Sequence, residues 1–523
     1  MMSKIQILIF SMLLKMIAAQ DLNAQSYVNK LYDFDTTNDW GHTIFLQTDG
    51  SYFILGQDFN NNQSGITANI ISADGNTVSQ KKEVYRQLAA GSYPGTGGRQ
   101  KKIRNNRYLI PLTVVSPQPN PDYGSYFRSG LAVLDSLGDT VFTKLYTDSS
   151  KYKEIIYDCY LMPDSGYLVA GGRNAVHTNK TNYKGLLYRT NSKGEILWEK
   201  EYTNANDCEI NSVQLTKDGD ILIGIHCLEL ATLGQDAFYK YRPLFILADS
   251  SNGAIKKYDI YTSGYAGGAL NGGGNIFEDK NGGYFHWGQI DYIYSTPLEH
   301  PYNFPPYFAR IDTDFQFTST KVFQPVLGGS HRWIFSVEQT SDSGYIMMGS
   351  AQIIDSAGGY FGWAARMNKN GFVLWDNYYI IDAAFDGYLV DAAELPDGGF
   401  VFTGSHTDNS IQPRTQDMWI VRVDSNGCIV PGCAPTTVKE ISLKEEVPID
   451  IYPNPTTGNF NISSIASGKL YIYSYDGRLI ANFEIVQGIT NMNLPDKLNS
   501  GVYIARFVTT DNKTYNVRLI YQP

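Results

Sequence analysis

Apolar and polar residues alternate along most of this chain in short runs separated by Gly- and Asp-containing turns. The stretches 155–161, 167–171, 185–189 and 195–202 give four such runs in succession. A period of two, with β-branched and aromatic side chains enriched, predicts strands. No sustained helical period occurs beyond the N-terminal segment.

The runs are organised by a repeat. Asp164-Ser165-Gly166-Tyr167 superimposes on Asp342-Ser343-Gly344-Tyr345 and Asp397-Gly398-Gly399-Phe400, each a turn entering an apolar strand. Weaker copies begin at Asp49, Asn105, Asp218 and Asn281, making seven. A second turn marker follows every first one, as in Ser192-Lys193-Gly194 and Ser425-Asn426-Gly427. Gly138, Gly194 and Gly253 are spaced by 56 and 59 positions, and Gly371 and Gly427 by 56. A fixed period of this length marks a repeat architecture. Four-stranded units repeated seven times predict a β-propeller, because radial closure protects the sheet edges that an open array exposes.

Closure supplies its own check. The seventh unit stops early, at Cys428-Ile429-Val430-Pro431, and residues 28–39 share the apolar spacing of residues 196–207, which close the third unit. The missing outer strand is therefore expected at the start of the chain, giving one closed ring over residues 26–433. A pair of β-sandwiches or an open solenoid leaves that displaced strand without a purpose. Trp198 and Trp375, which close the motifs Gly194 to Trp198 and Gly371 to Trp375, are expected to pack between units.

The N-terminus has Lys4, the apolar run Ile5 to Leu14, Lys15, and small residues Ala18, Ala19 and Ala24. This reads as a secretory signal peptide over residues 1–24, too short to span a bilayer. No transmembrane segment is expected in the mature chain. Only 18% of residues are charged and the net charge is -10 with no basic block, which argues against nucleic acid as a partner.

Five cysteines in an exported chain cannot all pair. Cys428 and Cys433 lie close across Pro431-Gly432. Cys208 and Cys227 flank the turn Lys217-Asp218-Gly219, so a hairpin brings them together, with buried free thiols as the alternative; Cys159 is left over.

A polar linker, residues 434–446, leads to a second small domain over residues 447–523 with strand alternation that reads as a β-sandwich. It contains Tyr452-Pro453-Asn454-Pro455, then Gly458-Asn459-Phe460, then Asp476-Gly477-Arg478, then Gly501-Val502-Tyr503. These motifs, in this order, resemble the type A C-terminal sorting domain of type IX secretion, the Por secretion tail family. The resemblance implies export to the periplasm, recognition of the folded domain by the type IX machinery, and release or attachment at the cell surface. The repeats in turn resemble those of secreted propellers that accompany this domain, which bears on fold and not activity.

Chemistry is less legible. In an up-and-down blade the tight marker turns share one face, and the long segments 118–130, 174–184, 228–242 and 290–306 fall on the other. Tyr123, Tyr126 and Phe127 cluster in one of these, and Tyr292, Tyr294, Tyr302, Phe304 and Tyr307 in another. Flat rings on loops held by a rigid scaffold suit glycan or peptide ligands, so these tyrosines are the candidate ligand-binding residues. Repeat alignment also places Asp158 and Asp391 at equivalent positions on the innermost strands, with Ser212, Asn275 and Ser336 completing a polar ring. Two carboxylates at a channel mouth are the weak catalytic candidates; hydrogen bonding to neighbouring blades is their structural alternative. The histidines lack ligand spacing, and no metal or cofactor is expected. The leading expectation is a glycan- or protein-binding surface protein, with a polysaccharide hydrolase or lyase and a structural component as alternatives.

Overall fold

The computed structural model describes residues 28–34, 38–60, 63–86, 92–93, 99–116, 126–146, 152–175, 183–203, 207–233, 236–260, 268–292, 306–323, 331–352, 359–381, 385–408, 415–429, 449–452, 456–464, 466–474, 478–495, 498, 501–510 and 514–521. The chain divides into two units, Met1–Thr436 and Thr437–Pro523. The expected signal peptide and linker lie outside the described residues. Among those residues no helix is long and apolar enough to cross a membrane.

The first unit is a seven-bladed β-propeller, each blade an antiparallel sheet. Blade 1 runs Asn38–Leu46, Tyr52–Asn60, Gln63–Ile71 and Val78–Arg86, inside to outside, and blades 3 to 6 repeat that order. Blade 7 takes Phe385–Glu394, Phe400–Asp408 and Thr415–Val423 from its own repeat and its outer strand, Val28–Tyr32, from the start of the chain. Val28 pairs with Arg422 and Tyr32 with Met418, so the edge of the last blade is closed as the displaced apolar pattern requires.

Blade 2 departs from the pattern. Its innermost strand is split into Ser92–Tyr93 and Lys101–Ile103, both paired with Arg107–Ser116. Asn105 and Asn106 take positive φ at its first turn, where most other blades place glycine.

Tight turns bind neighbouring blades. Gly253 and Gly427 adopt the left-handed conformation, and a Cβ there would meet Trp198 at 2.9 Å and Trp375 at 2.8 Å. The Trp375 indole donates to the Ser425 carbonyl at 2.9 Å. Both tryptophans thus pack against the next blade's turn, as expected from the repeat. Between blades the core is apolar: Leu168, Leu187, Ile210 and Ile223 pack blade 3 on blade 4, and Trp419, Phe402 and Leu389 pack blade 7 on blade 6.

One long segment corrects the expectation of loops. Residues 228–242 extend a hairpin, Ile221–Leu233 against Asp236–Ala248, with pairing continuing to Leu233 and Asp236. Cys208 sits opposite Cys227 and the two form a disulfide. Cys428 is also disulfide-bonded, while Cys433, its expected partner, lies outside the described residues. Cys159 is free and buried.

The second unit is a β-sandwich of a three-stranded and a four-stranded sheet around Phe460, Ile462, Leu470, Ile472, Tyr503, Phe507 and Leu519.

Candidate functional site

The innermost strands line the channel, and a local irregularity sets what they present. The register shifts in six of them: between Gly41 and Thr43, Ile156 and Asp158, Ile210 and Ser212, Asn271 and Asn275, Ile334 and Ser336, and Leu389 and Asp391. A bulge leaves one residue unpaired and re-aims the next. The residue after each bulge is the polar ring residue expected from the repeat, with Thr43 added by blade 1.

The ring ties blades together. Asp158 accepts the Val213 amide of blade 4 at 2.8 Å and the Cys159 amide at 2.9 Å, and Lys101 approaches it at 2.9 Å. Asp391 accepts the Ile44 amide of blade 1 at 2.9 Å, and Ser212 accepts the Ile276 amide of blade 5 at 3.0 Å. The two catalytic candidates therefore spend acceptor oxygens on backbone amides.

An arginine just before Lys101–Ile103 of blade 2 bridges to Asp158 of blade 3 and borders the channel. The Arg99 amide donates to the Tyr157 carbonyl at 3.0 Å, and its guanidinium lies 4.0 Å from the Phe277 ring centroid. Burial lowers its pKa, opposed by Asp158, Glu338 and Asp391. Burial, then the charge of Glu338, pushes Asp391 up to about 8. Glu338 is itself raised by burial, against the pull of Arg99 and Lys101.

On the tight-turn side of the ring lies a cavity of about 540 Å³ lined by Arg99, Lys101, Lys102, Gln214, Glu338 and Asp391, among others. On the loop side, aromatic rings gather. Trp333 meets Tyr360 edge-on at 5.3 Å, Tyr360 stacks on Tyr388 at 5.7 Å, and Phe335 lies 6.2 Å from Tyr388. Phe335 is 40% exposed and the other three are half-buried. Trp333 and Phe335 come from His331–Gln339 of blade 6, Tyr388 from Phe385–Glu394 of blade 7, and Tyr360 from the loop-side start of Tyr360–Met367. In blade 1, Trp40 and His42 occupy the corresponding positions, their rings 6.0 Å apart.

The predicted tyrosines fare unevenly. Tyr123, Tyr294 and Tyr302 lie outside the described residues, and Tyr126 and Tyr292 sit at loop-side strand ends with undescribed side chains. Tyr307 is not a loop residue: it is fully buried in Pro306–Ile311, its hydroxyl donating to His286 Nε2 at 2.6 Å. That strand is buried on both faces, so its side chains are enclosed whichever way they point. Three of the four platform residues, Trp333, Phe335 and Tyr388, follow a rule the sequence contained: they stand one or three positions before the ring residue.

Among the sorting motifs, Pro453, Asn454, Pro455, Asp476 and Gly477 lie outside the described residues. Tyr452 belongs to Ile449–Tyr452, Gly458 has φ of 128°, Arg478 follows the undescribed turn, and Gly501 and Tyr503 open Gly501–Thr509, with Tyr503 buried. Residues 450–522 match the model of the secretion system C-terminal sorting domain. The C-terminal unit is a secretion system C-terminal sorting domain. A sorting domain of this kind directs a chain through type IX secretion to the cell surface or the extracellular space, and makes the secretion machinery a partner.

The chain is 29% identical over 87 residues to ulvan lyase NLR42 of Nonlabens ulvanivorans, a match spanning 16% of each protein. Among solved structures it is similar to polysaccharide lyase Uly1, at 10% identity over 77% of this chain and 95% of that one, with a TM-score of 0.41. The Bombyx mori GH32 beta-fructofuranosidase BmSUC1 gives 11% identity over 79% and 95%, with a TM-score of 0.30. Sqt1 of Chaetomium thermophilum, bound to the N-terminus of ribosomal protein L10, gives 8% over 76% and 100%, with a TM-score of 0.40. These similarities are too distant to transfer an activity.

Proposed function

We propose that the protein is an exported glycan-binding protein whose seat is the aromatic platform at the loop-side mouth of the channel. The observation that supports this is the cluster of Trp333, Phe335, Tyr360 and Tyr388, held on strands and left partly open. An exposed aromatic cluster on rigid elements marks an interaction surface, and flat ring faces suit the apolar faces of sugars. Binding is favoured over hydrolysis because Asp158 and Asp391 each hold a backbone amide of a neighbouring blade, a structural use of both candidate carboxylates. The test is an array of extracellular polysaccharides and oligosaccharides probed with the purified exported protein. Capture of a glycan, weakened about tenfold or more in Trp333→Ala and Tyr360→Ala, is the expected result for contacts at the centre of a binding surface. Capture unaffected by either substitution, or no glycan captured, sinks the proposal.

A further inference from the structure

We propose that the tight-turn mouth of the channel is a second binding site, for a small carboxylate-bearing polyol of sugar-acid type. It stands independently of the aromatic platform. The cavity, about 540 Å³, falls in the range typical of small-ligand sites. Arg99 and the ring residues Thr43 and Asp391 line it.

Charge decides the ligand class. Arg99, Lys101 and Lys102 come from one short stretch of blade 2 and all line the cavity, together with Glu278, Glu338 and Asp391. Lys101 is neutralised by Asp158 at 2.9 Å. Glu278 accepts the Lys217 amide at 2.9 Å. Asp391 is pushed up to about 8, by burial and then by the charge of Glu338, and Glu338 is raised in turn. Arg99 lines the cavity with a buried Nη2 that has no hydrogen-bond partner among the described residues, Lys102 stands at the rim, and a carboxylate placed between them gains charge-assisted hydrogen bonds.

The rest of the wall suits hydroxyls. The Asp391 carboxyl, the Tyr160 hydroxyl and the Gln214 amide offer both donors and acceptors, and Gln214 makes no side-chain hydrogen bond among the described residues. Phe277 and Phe285 add apolar surface. A carboxylate carried on a hydroxylated, partly apolar ring meets each of these demands.

Calorimetric titration of the purified exported protein with glucuronate and with glucose tests this. Glucuronate is expected to bind about tenfold or more tightly than glucose, the margin of a charge-assisted hydrogen bond. Arg99→Gln is expected to abolish that preference. Lys102→Ala, at the rim and harmless to folding, should weaken glucuronate about threefold or more. Trp333→Ala, at the other mouth, should leave glucuronate binding unchanged while impairing the platform. Equal affinity for the two sugars, no heat from glucuronate, or a loss in Trp333→Ala without one in Lys102→Ala overturns the proposal.

Discussion

Replacing Asp158 by alanine separates a tie between blades from a catalytic group. The side chain is fully buried, and its oxygens hold the Val213 amide at 2.8 Å and the Cys159 amide at 2.9 Å. Alanine leaves both amides without a partner in the interior, at about 1–3 kcal/mol each. Lys101, with a quarter of its side chain exposed, can turn to solvent and adds well under about 1 kcal/mol. The expected total is about 4 kcal/mol. Asp158→Asn keeps one acceptor oxygen and should lose about 1–2 kcal/mol. Urea unfolding followed by intrinsic fluorescence measures both, with the midpoint shifting at constant slope. If alanine proves no less stable than asparagine, or if either variant keeps full stability while losing ligand binding, the structural assignment of Asp158 is wrong.

Other consequences can be measured on the same protein. Replacing Cys208 and Cys227 together by serine frees a closed loop with a sequence separation of 19, and should cost about 3 kcal/mol by unfolded-state entropy, read as a lower urea midpoint. Deleting Val28–Tyr32 unpairs the edge Thr415–Val423 and should convert a monodisperse species into aggregates in size-exclusion chromatography. His286 is fully buried between the Tyr307 hydroxyl and the Asn275 carbonyl, and burial lowers its pKa from 6.5 to about 4. As pH falls below 6.5 the unfolded chain takes up this proton first, so stability should drop by about 3 kcal/mol between pH 6.5 and 4. His286→Gln should flatten that part of the profile. Asp391, raised to about 8, has the opposite sign: stability is fully present below pH 3.8 and declines as pH rises through 8, so Asp391→Asn should gain on the wild type at alkaline pH.

The blades were legible because each repeats a strand pattern and two turn markers, and because a turn such as Ser425-Asn426-Gly427 has few conformations open to it. The closing strand was legible for the same reason: its apolar spacing matches that of an outer strand. The polar ring at Asp158 and Asp391 was also readable, since repeat alignment fixes equivalent positions. The bulge beside each ring residue was not, because an unpaired residue leaves the alternation on either side intact. That hid the direction taken by Trp333, Phe335 and Tyr388, whose spacing from the ring looks ordinary in the sequence. Arg99 was hidden by the split strand of blade 2, where the repeat is weakest. Tyr307 misled because its neighbours Tyr302 and Phe304 precede the strand, while Tyr307 already lies within it.

Tryptophan fluorescence tests the central claim most directly. Trp333 is half-buried at the platform, whereas Trp363 and Trp419 are fully buried in the core. Titrating a captured glycan into the purified protein should change the emission of the Trp333 indole, and Trp333→Phe should remove that change while binding persists through the remaining rings. An unchanged signal in the wild type at saturating glycan, or a full signal in Trp333→Phe, would place the ligand elsewhere and contradict the account.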